Sequence, residues 1–459
     1  MSDQRYVVVG GGISGLAAAY ALRKKHPQAE ILLLEAQDHL GGVIHTDRYS
    51  GYVIEAGPDS ILRRKPEAIA LAEAIGLASI GTNPGAHGAY IYHRGRFYDI
   101  PPGVQSGVPT DVWALVQSGL LSWPGKLRAG FDFFLPRITR PNDDIALGRF
   151  LRYRFGDEVV DRLAAPMLSG IYAGNIDQMS MDATFPHFKD LEAKHRSIVQ
   201  GARQTRPAPP SSSGPRPSMF ATFAGGLESY IEALSKSLGD VDQRCHTPVV
   251  SLEPSSDQGV EVVTEQETIV ANGVILAIPA FAAATLLSTH ARMVSHVLEA
   301  VTYADLAVIG ALYKASGPAI PEDKTGFLVP RGEGFQMTAC TYVSSKWHYP
   351  DVPEGAVIRS YYGRAGEDIL AMNDAELLAL YRREMHDLLP KLGDPDYTVV
   401  FRQPRAIPQY QVGHLRKMAA AVQQLRTDCP RIALAGSYID GVGIPDCVRR
   451  SYAAVEQMD

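Results

Sequence analysis

The sequence predicts an α/β protein, and three observations lead there. Tyr6, Val7, Val8 and Val9 form an apolar strand that runs straight into a glycine turn and then into helix-forming residues. Ile31, Leu32, Leu33 and Leu34 form a second apolar strand that stops at an acid, Glu35. Helical and strand-like runs then alternate again over residues 225–279 and 432–455.

The 459 residues suit about three domains, each large enough for its own core. With 46% apolar and 20% charged residues the chain reads as folded and soluble. A net charge of −6, from 44 basic and 50 acidic side chains, gives no general attraction for nucleic acid or anionic lipid. Anion binding must therefore be local. Cys245, Cys340, Cys429 and Cys447 lie far apart with no C-x-x-C pair, which suggests neither a disulfide framework nor a zinc site. No secretion signal is expected ahead of Tyr6. The longest apolar stretches, residues 7–22 and 273–287, are broken by glycines or by Pro279 and fall short of a spanning helix.

In the N-terminal unit, Gly10-Gly11-Gly12-Ile13-Ser14-Gly15 stands between the first strand and the helical run Leu16-Ala17-Ala18-Ala19-Tyr20-Ala21-Leu22. Gly10 permits a tight turn, Gly12 lets the backbone approach a pyrophosphate, and Gly15 lets the helix lie close to the sheet. The phosphate would meet free N–H groups at the helix start. Glu35, twenty residues beyond Gly15, is placed to accept hydrogen bonds from an adenosine ribose. Strand, turn, helix and acid in this order predict a Rossmann-like dinucleotide site; the plainer alternative is a glycine turn with a chance glutamate.

The residues that follow are more specific. Glu35-Ala36 leads to Gly41-Gly42, and Glu55-Ala56 leads to Gly57-Pro58-Asp59-Ser60. Further on, Phe223-Ala224-Gly225-Gly226 opens a helix with Leu227, Tyr230, Ile231, Leu234 and Leu238 on one face. A strand-like run around Val249 and another at residues 273–278 come next. The C-terminal strand leads through Ser437 to Gly441-Val442-Gly443-Ile444-Pro445-Asp446-Cys447 and a closing helix. With Leu168-Ser169-Gly170-Ile171-Tyr172-Ala173-Gly174, Thr184-Phe185-Pro186, Lys194-His195-Arg196-Ser197, Ser345-Lys346-Trp347 and residues 408–414, these segments make the chain resemble, over essentially its whole length, the oxygen-dependent protoporphyrinogen/coproporphyrinogen III oxidases of the flavin amine oxidase superfamily. The match is closest to the Gram-positive, coproporphyrin-forming branch.

That resemblance implies an FAD-binding domain from residues 1–65, 222–285 and 403–459, and an α+β substrate domain from 66–107, 181–221 and 286–402. It also implies a helical domain at 108–180 that can rest on a membrane or mediate dimer contacts. It implies FAD contacts at Gly10, Gly11, Gly12, Ile13, Ser14, Gly15, Glu35, Ala36, Gly41, Gly42, Gly57, Pro58, Asp59, Ser60, Val249, Gln403, Ser437, Gly443, Ile444 and Pro445. By side chain alone, Val249 could equally be a core valine. Two departures stand out: His39, where the superfamily usually has arginine, and Gln403, where the family commonly has tryptophan. Trp113, Leu115, Val116, Leu120, Leu121, Trp123, Leu127, Phe131, Phe133, Phe134 and Leu135 in the helical region either form an attachment surface or pack inside a bundle.

The chemistry implied is removal of six hydrogens from a porphyrinogen with O2 as acceptor, in haem biosynthesis. A flat macrocycle needs an apolar slot, for which Ile171, Phe220, Trp347 and Tyr362 are candidates, with a packed core as their alternative. Arg63, Arg64 and Lys65 are candidate rim cations for its carboxylates; a solvated charge run is theirs. No side chain is assigned as catalytic, because the flavin is the oxidant. No G-x-S-x-G or H-E-x-x-H spacing supports a hydrolase or a metal. The resemblance further implies a cytoplasmic enzyme, peripheral at the inner face of the membrane in one form, with ferrochelatase as a contact. Its competitors are an amine oxidase or carotenoid-type desaturase on the same fold, and a non-catalytic porphyrin carrier. The Pro/Ser-rich stretch 206–217 reads as a mobile linker.

Overall fold

The computed structural model describes residues 4–105, 107–205, 218–254, 259–314 and 320–458; the Pro/Ser-rich stretch lies outside the described residues. The chain divides into two compact units, one of Met1–Gly81, Met219–Thr302 and Leu415–Asp459, the other of Thr82–Ser218 and Tyr303–His414.

The first unit is built on five parallel strands: β1 (Arg5–Val9), β2 (Glu30–Leu34), β3 (Asp242–Arg244), β4 (Gly273–Leu276) and β5 (Ile432–Leu434). Their order across the sheet is β3-β2-β1-β4-β5, with Val8 level with Leu33 on one side and Ile275 on the other. The strands read as unbroken apolar runs because a parallel sheet is covered on both faces; Val7, Val8, Leu33 and Val274 have no exposed surface. Strand order reverses at β1, and in such sheets ligands bind beyond the carboxyl ends of the strands at that switch. Helix α1 (Ile13–Lys25) follows β1, α2 (Glu228–Ser237) precedes β3, and α3 (Ile444–Val455) closes the chain. The face expected on α2 is buried as expected: Leu227, Tyr230, Ile231, Leu234 and Leu238 all lie in the core around β1 and α1.

Two distant pieces of this unit are pinned by a buried acid. Glu55 takes the Thr46 hydroxyl at 2.7 Å and the Leu227 N–H at 2.6 Å, and the Glu228 N–H reaches Thr46 Oγ1 at 3.1 Å. The start of α2 is thus tied to the hairpin Thr46–Tyr49/Tyr52–Glu55. Glu55, part of a motif read as flavin-proximal, is a structural anchor.

The second unit carries a seven-stranded sheet in the order Tyr397–Pro408, Tyr303–Lys314, Gly355–Tyr362, Met337–Tyr342, Gly326–Leu328, Tyr90–His93, Arg96–Asp99. All neighbours are antiparallel except Gly326–Leu328 beside Tyr90–His93. Helix Asp374–Leu388, opened by a capping box between Asn373 and Glu376, supplies Leu377, Leu380, Tyr381 and Met385 to the core on that sheet.

The helical stretch of the second unit has a charged interior. Arg154 is fully buried between Asp132, at 3.4 Å, and Glu192. Ser197 Oγ donates to Asp132 at 2.6 Å and the Thr139 N–H donates to Glu192 at 2.9 Å. Burial raises the Asp132 carboxyl above its ordinary range. Paired and hydrogen-bonded charges of this kind are costly to break one at a time, so Ser197, in the Lys194-His195-Arg196-Ser197 motif, holds structure. The apolar residues of this region divide. Leu115, Leu120 and Leu121 are buried, whereas Trp113, Trp123, Leu127, Phe131 and Phe134 are exposed. No described helix is long and apolar enough to cross a membrane.

Candidate functional site

The glycines after β1 are required for different reasons. Gly10 has φ +106°, and a Cβ there would lie 2.6 Å from the Ala277 carbonyl oxygen. A Cβ at Gly11 would meet Leu40 at 2.5 Å, and one at Gly15 would stand 1.7 Å from the Gly10 oxygen. Packing against backbone therefore demands Gly10 and Gly15, whereas at Gly11 the contact is with the tip of the Leu40 side chain. Gly12 differs: its backbone is extended, and the nearest atom to a Cβ there is the Gly41 oxygen at 3.8 Å, an ordinary contact. Among the described residues nothing comes closer than 3.8 Å to a Cβ placed there, which is the open approach a pyrophosphate needs.

Helix α1 begins at Ile13 and Ser14 with no acid in its first turn and no side-chain cap, so its leading N–H groups and positive dipole end are available to an anion. Glu35 stands beside this turn. Its Oε2 accepts the Gly11 N–H at 2.6 Å and its Oε1 the Gln37 N–H at 2.8 Å, which leaves acceptor positions for ribose hydroxyls. Gly41 donates to the Gly11 oxygen at 2.9 Å, so Gly41 and Gly42 lie against the first turn. The Thr247 N–H reaches the Glu35 carbonyl oxygen, and the His246 N–H that of Gln37, both at 2.8 Å. These bonds tie residues 246–247, just ahead of the half-buried Val249 at the start of strand Val249–Pro254, to the segment that follows β2. His39 pairs with Asp38 at 2.6 Å, and the hydrogen bond from His39 keeps the Asp38 carboxyl below its ordinary range.

Gly57, Pro58, Asp59 and Ser60 form a half-buried loop leading to Ile61, with the Ser60 hydroxyl on Asp59 at 2.8 Å. At the other end of the chain, Ser437 follows β5, Gly443 caps α3, and Ile444 and Pro445 form its first turn. The Ser451 hydroxyl of α3 donates to the Ser14 carbonyl oxygen at 2.7 Å and binds the last helix to the first. Burial pushes the Cys447 thiol up to about 11, so it is no thiolate nucleophile. Three chain segments remote in order thus converge around one glycine turn.

The family of flavin containing amine oxidoreductases matches residues 13–459. The chain belongs to that family. It is 36% identical over 465 residues to a coproporphyrinogen III oxidase of Bacillus subtilis, covering 99% of this chain and 98% of that one. It is 33% identical to a coproporphyrinogen III oxidase of Staphylococcus aureus, covering 98% of each. A solved structure of a candidate protoporphyrinogen oxidase from Exiguobacterium sp. 255-15 superposes with a TM-score of 0.89 at 35% identity, over 99% of this chain and 98% of that one. The cofactor is FAD, and the open approach at Gly12, the uncapped helix start and the part-satisfied Glu35 carboxylate fit its adenosine diphosphate half.

As a member of the flavin amine oxidoreductases the chain also carries the residues read from sequence as substrate-facing, and these fare unevenly. In the first unit, Phe220 is partly exposed on strand Phe220–Phe223. Arg64 is exposed, with no ion pair or hydrogen bond to its side chain among the described residues. Arg63 donates to the Ser79 hydroxyl at 3.0 Å, and Lys65 contacts both oxygens of Asp446 at 2.7 and 2.6 Å.

In the second unit, Ile171 is 52% exposed near the end of helix Ala165–Tyr172, which stops at Ala173 in a left-handed conformation. Trp347 and Tyr362 take the packed-core alternative, at 2% and 0% exposure. Tyr362 sits at the end of a central strand, beneath helix Asp374–Leu388, and so lines no open slot. Gln403 belongs to this unit too, on strand Tyr397–Pro408 opposite Leu306. Among the described residues no cluster of side chains could hold a metal ion. Sequence reading missed the Lys65–Asp446 and Glu55–Leu227 links; their partners lie 381 and 172 residues apart, and no local periodicity signals such pairs.

Proposed function

We propose that this protein oxidises coproporphyrinogen III to coproporphyrin III with FAD and O2, in three two-electron steps that consume three O2 and release three H2O2. The observation that carries the reading is the 36% identity to a coproporphyrinogen III oxidase along nearly the entire chain, substrate-side segments included. FAD supplies the hydride acceptor and passes the electrons to O2. The chain's residues bind and orient. The N–H groups at the start of α1 hold the pyrophosphate over Gly12, and Glu35 takes the ribose. The loop Gly57–Ser60 and the turn at Ser437 and Gly443–Pro445 are assigned to the flavin end. In the first unit Phe220, apolar and exposed, is the surface offered to the macrocycle, and Arg64 is the cation best disposed toward a carboxylate; Ile171 is the exposed apolar candidate that the second unit carries by itself.

Side-by-side turnover tests this. Purified holoprotein should convert coproporphyrinogen III to a fluorescent porphyrin with stoichiometric O2 uptake, and protoporphyrinogen IX is the second substrate in the same assay. If both disappear no faster than in buffer, while a polyamine is oxidised, the reading is wrong.

The same proposal places the enzyme in the cytoplasm, peripheral at the inner membrane face and within reach of a ferrochelatase that takes its product. Trp123, Leu127 and Phe131, spaced by four, recur on one side of the chain, and with Trp113 and Phe134 all five are exposed; Lys126 lies 4.8 Å over the Trp123 ring. Amphipathic aromatic and basic side chains are what an interfacial helix uses. Co-sedimentation with anionic vesicles, lost in Trp123→Ser/Phe131→Ser, is the check.

A further inference from the structure

Asp446 occupies the third position of α3, directly after the turn assigned to the flavin. Its carboxylate is nearly buried, at 7% exposure, and the turn is wrapped around it. A Cβ at Gly441 would meet the Asp446 Cγ at 2.3 Å, and one at Gly443 would be 3.1 Å from Oδ2. The path of residues 441–443 is therefore set by where this carboxylate stands. Lys65 reaches it from the other end of the chain, at 2.6 and 2.7 Å to its two oxygens. The next cation, Arg449, is 3.7 Å away and is committed to Asp440 at 2.9 Å. A buried carboxylate left without its cation is costly. Here it would distort the turn or recruit water beside the helix start.

We propose that Lys65 is a positioning residue for the flavin rather than a cation for the substrate: it fixes Asp446, and through it the turn at residues 441–443. The inference rests on the FAD reading above and assigns the run 63–65 by residue. Arg63 braces Ser79, Arg64 faces solvent, and Lys65 joins the loop that follows Ser60 to the start of α3.

The test is flavin titration of apoprotein, followed by fluorescence, with steady-state kinetics at saturating FAD. Lys65→Met should weaken FAD binding about tenfold, in the range expected for unpairing a partly buried charge, and leave KM for coproporphyrinogen III within about twofold. Lys65→Arg, which keeps the charge, should bind FAD nearly as the wild type does. Lys65→Met/Asp446→Asn should recover most of the lost affinity, because a neutral amide of the same shape needs no cation. Unchanged FAD affinity with a raised KM in Lys65→Met overturns the proposal, as does a double variant no better than Lys65→Met. If Lys65→Met does not fold, Lys65→Arg and the double variant still decide, since both must then hold FAD near wild-type affinity. A wild-type protein that binds no FAD would instead remove the functional reading itself.

Discussion

The first and last helices of the first unit begin alike and are charged differently. Both follow a parallel strand and a glycine-rich turn, and neither has a side-chain cap at its start. Helix α1 has no acid in its first turn, and Gly12 leaves open space before it. Helix α3 brings its own anion, Asp446, with a lysine to match. A helix N-terminus attracts negative charge; the first carries no acid of its own, while the last is already neutralised by Asp446. Under the proposed FAD reading, that difference suits the first to the phosphates and the last to an uncharged ring edge.

Three substitutions and one alkylation experiment sharpen or break that comparison. The largest effect is expected for Gly15→Val, whose Cβ would stand 1.7 Å from the Gly10 oxygen. The backbone has to move, at a cost of roughly 4 kcal/mol or more, and thermal melting should show a destabilised or unfolded protein. Gly12→Val, three residues away, should fold normally, with the apoprotein melting within about 2 °C of wild type. It should nonetheless lose FAD affinity by about 100-fold, near 2.7 kcal/mol. If both glycine variants melt alike, the distinction between a packing glycine and a ligand glycine falls. Next, Arg64→Ala should raise KM for the four-carboxylate substrate about three- to tenfold, at ~1 kcal/mol for a partly solvated charge pair, and do less for the two-carboxylate one. Equal effects on both would deny it a carboxylate contact. The smallest signal concerns Cys447 at the start of α3. A helix N-terminus favours thiolate, but burial holds this thiol at about 11. At pH 8 about one part in a thousand is thiolate by that value. Peptide mass mapping should find Cys447 unalkylated by iodoacetamide; rapid alkylation would mean the helix start outweighs burial.

The glycine turn, Glu35 and the apolar strands at Arg5–Val9, Glu30–Leu34, Gly273–Leu276 and Ile432–Leu434 were legible because each leaves a local mark: an apolar run of strand length, a helix period, an acid at fixed distance; their order across the sheet, and the short strand Asp242–Arg244, were not. The buried face of α2 was legible for the same reason. For Trp347 and Tyr362 the slot and packed-core readings could not be told apart in the sequence, because a large aromatic carries the same composition signal in a core as in a binding surface. What separates them is the helix Asp374–Leu388 packed over Tyr362. The three cations at 63–65 read as equivalent, yet Ser79, solvent and Asp446 take one each.

The sequence alone determined the secondary structure of the nucleotide unit and the chemistry it recognises, since backbone conformation and side-chain period are properties of short stretches. Only the tertiary structure decided which lysine is tied to which acid and which aromatic is closed off. Those depend on what a distant segment places within a few ångströms, and chain separations of 172 and 381 residues leave no trace in local pattern.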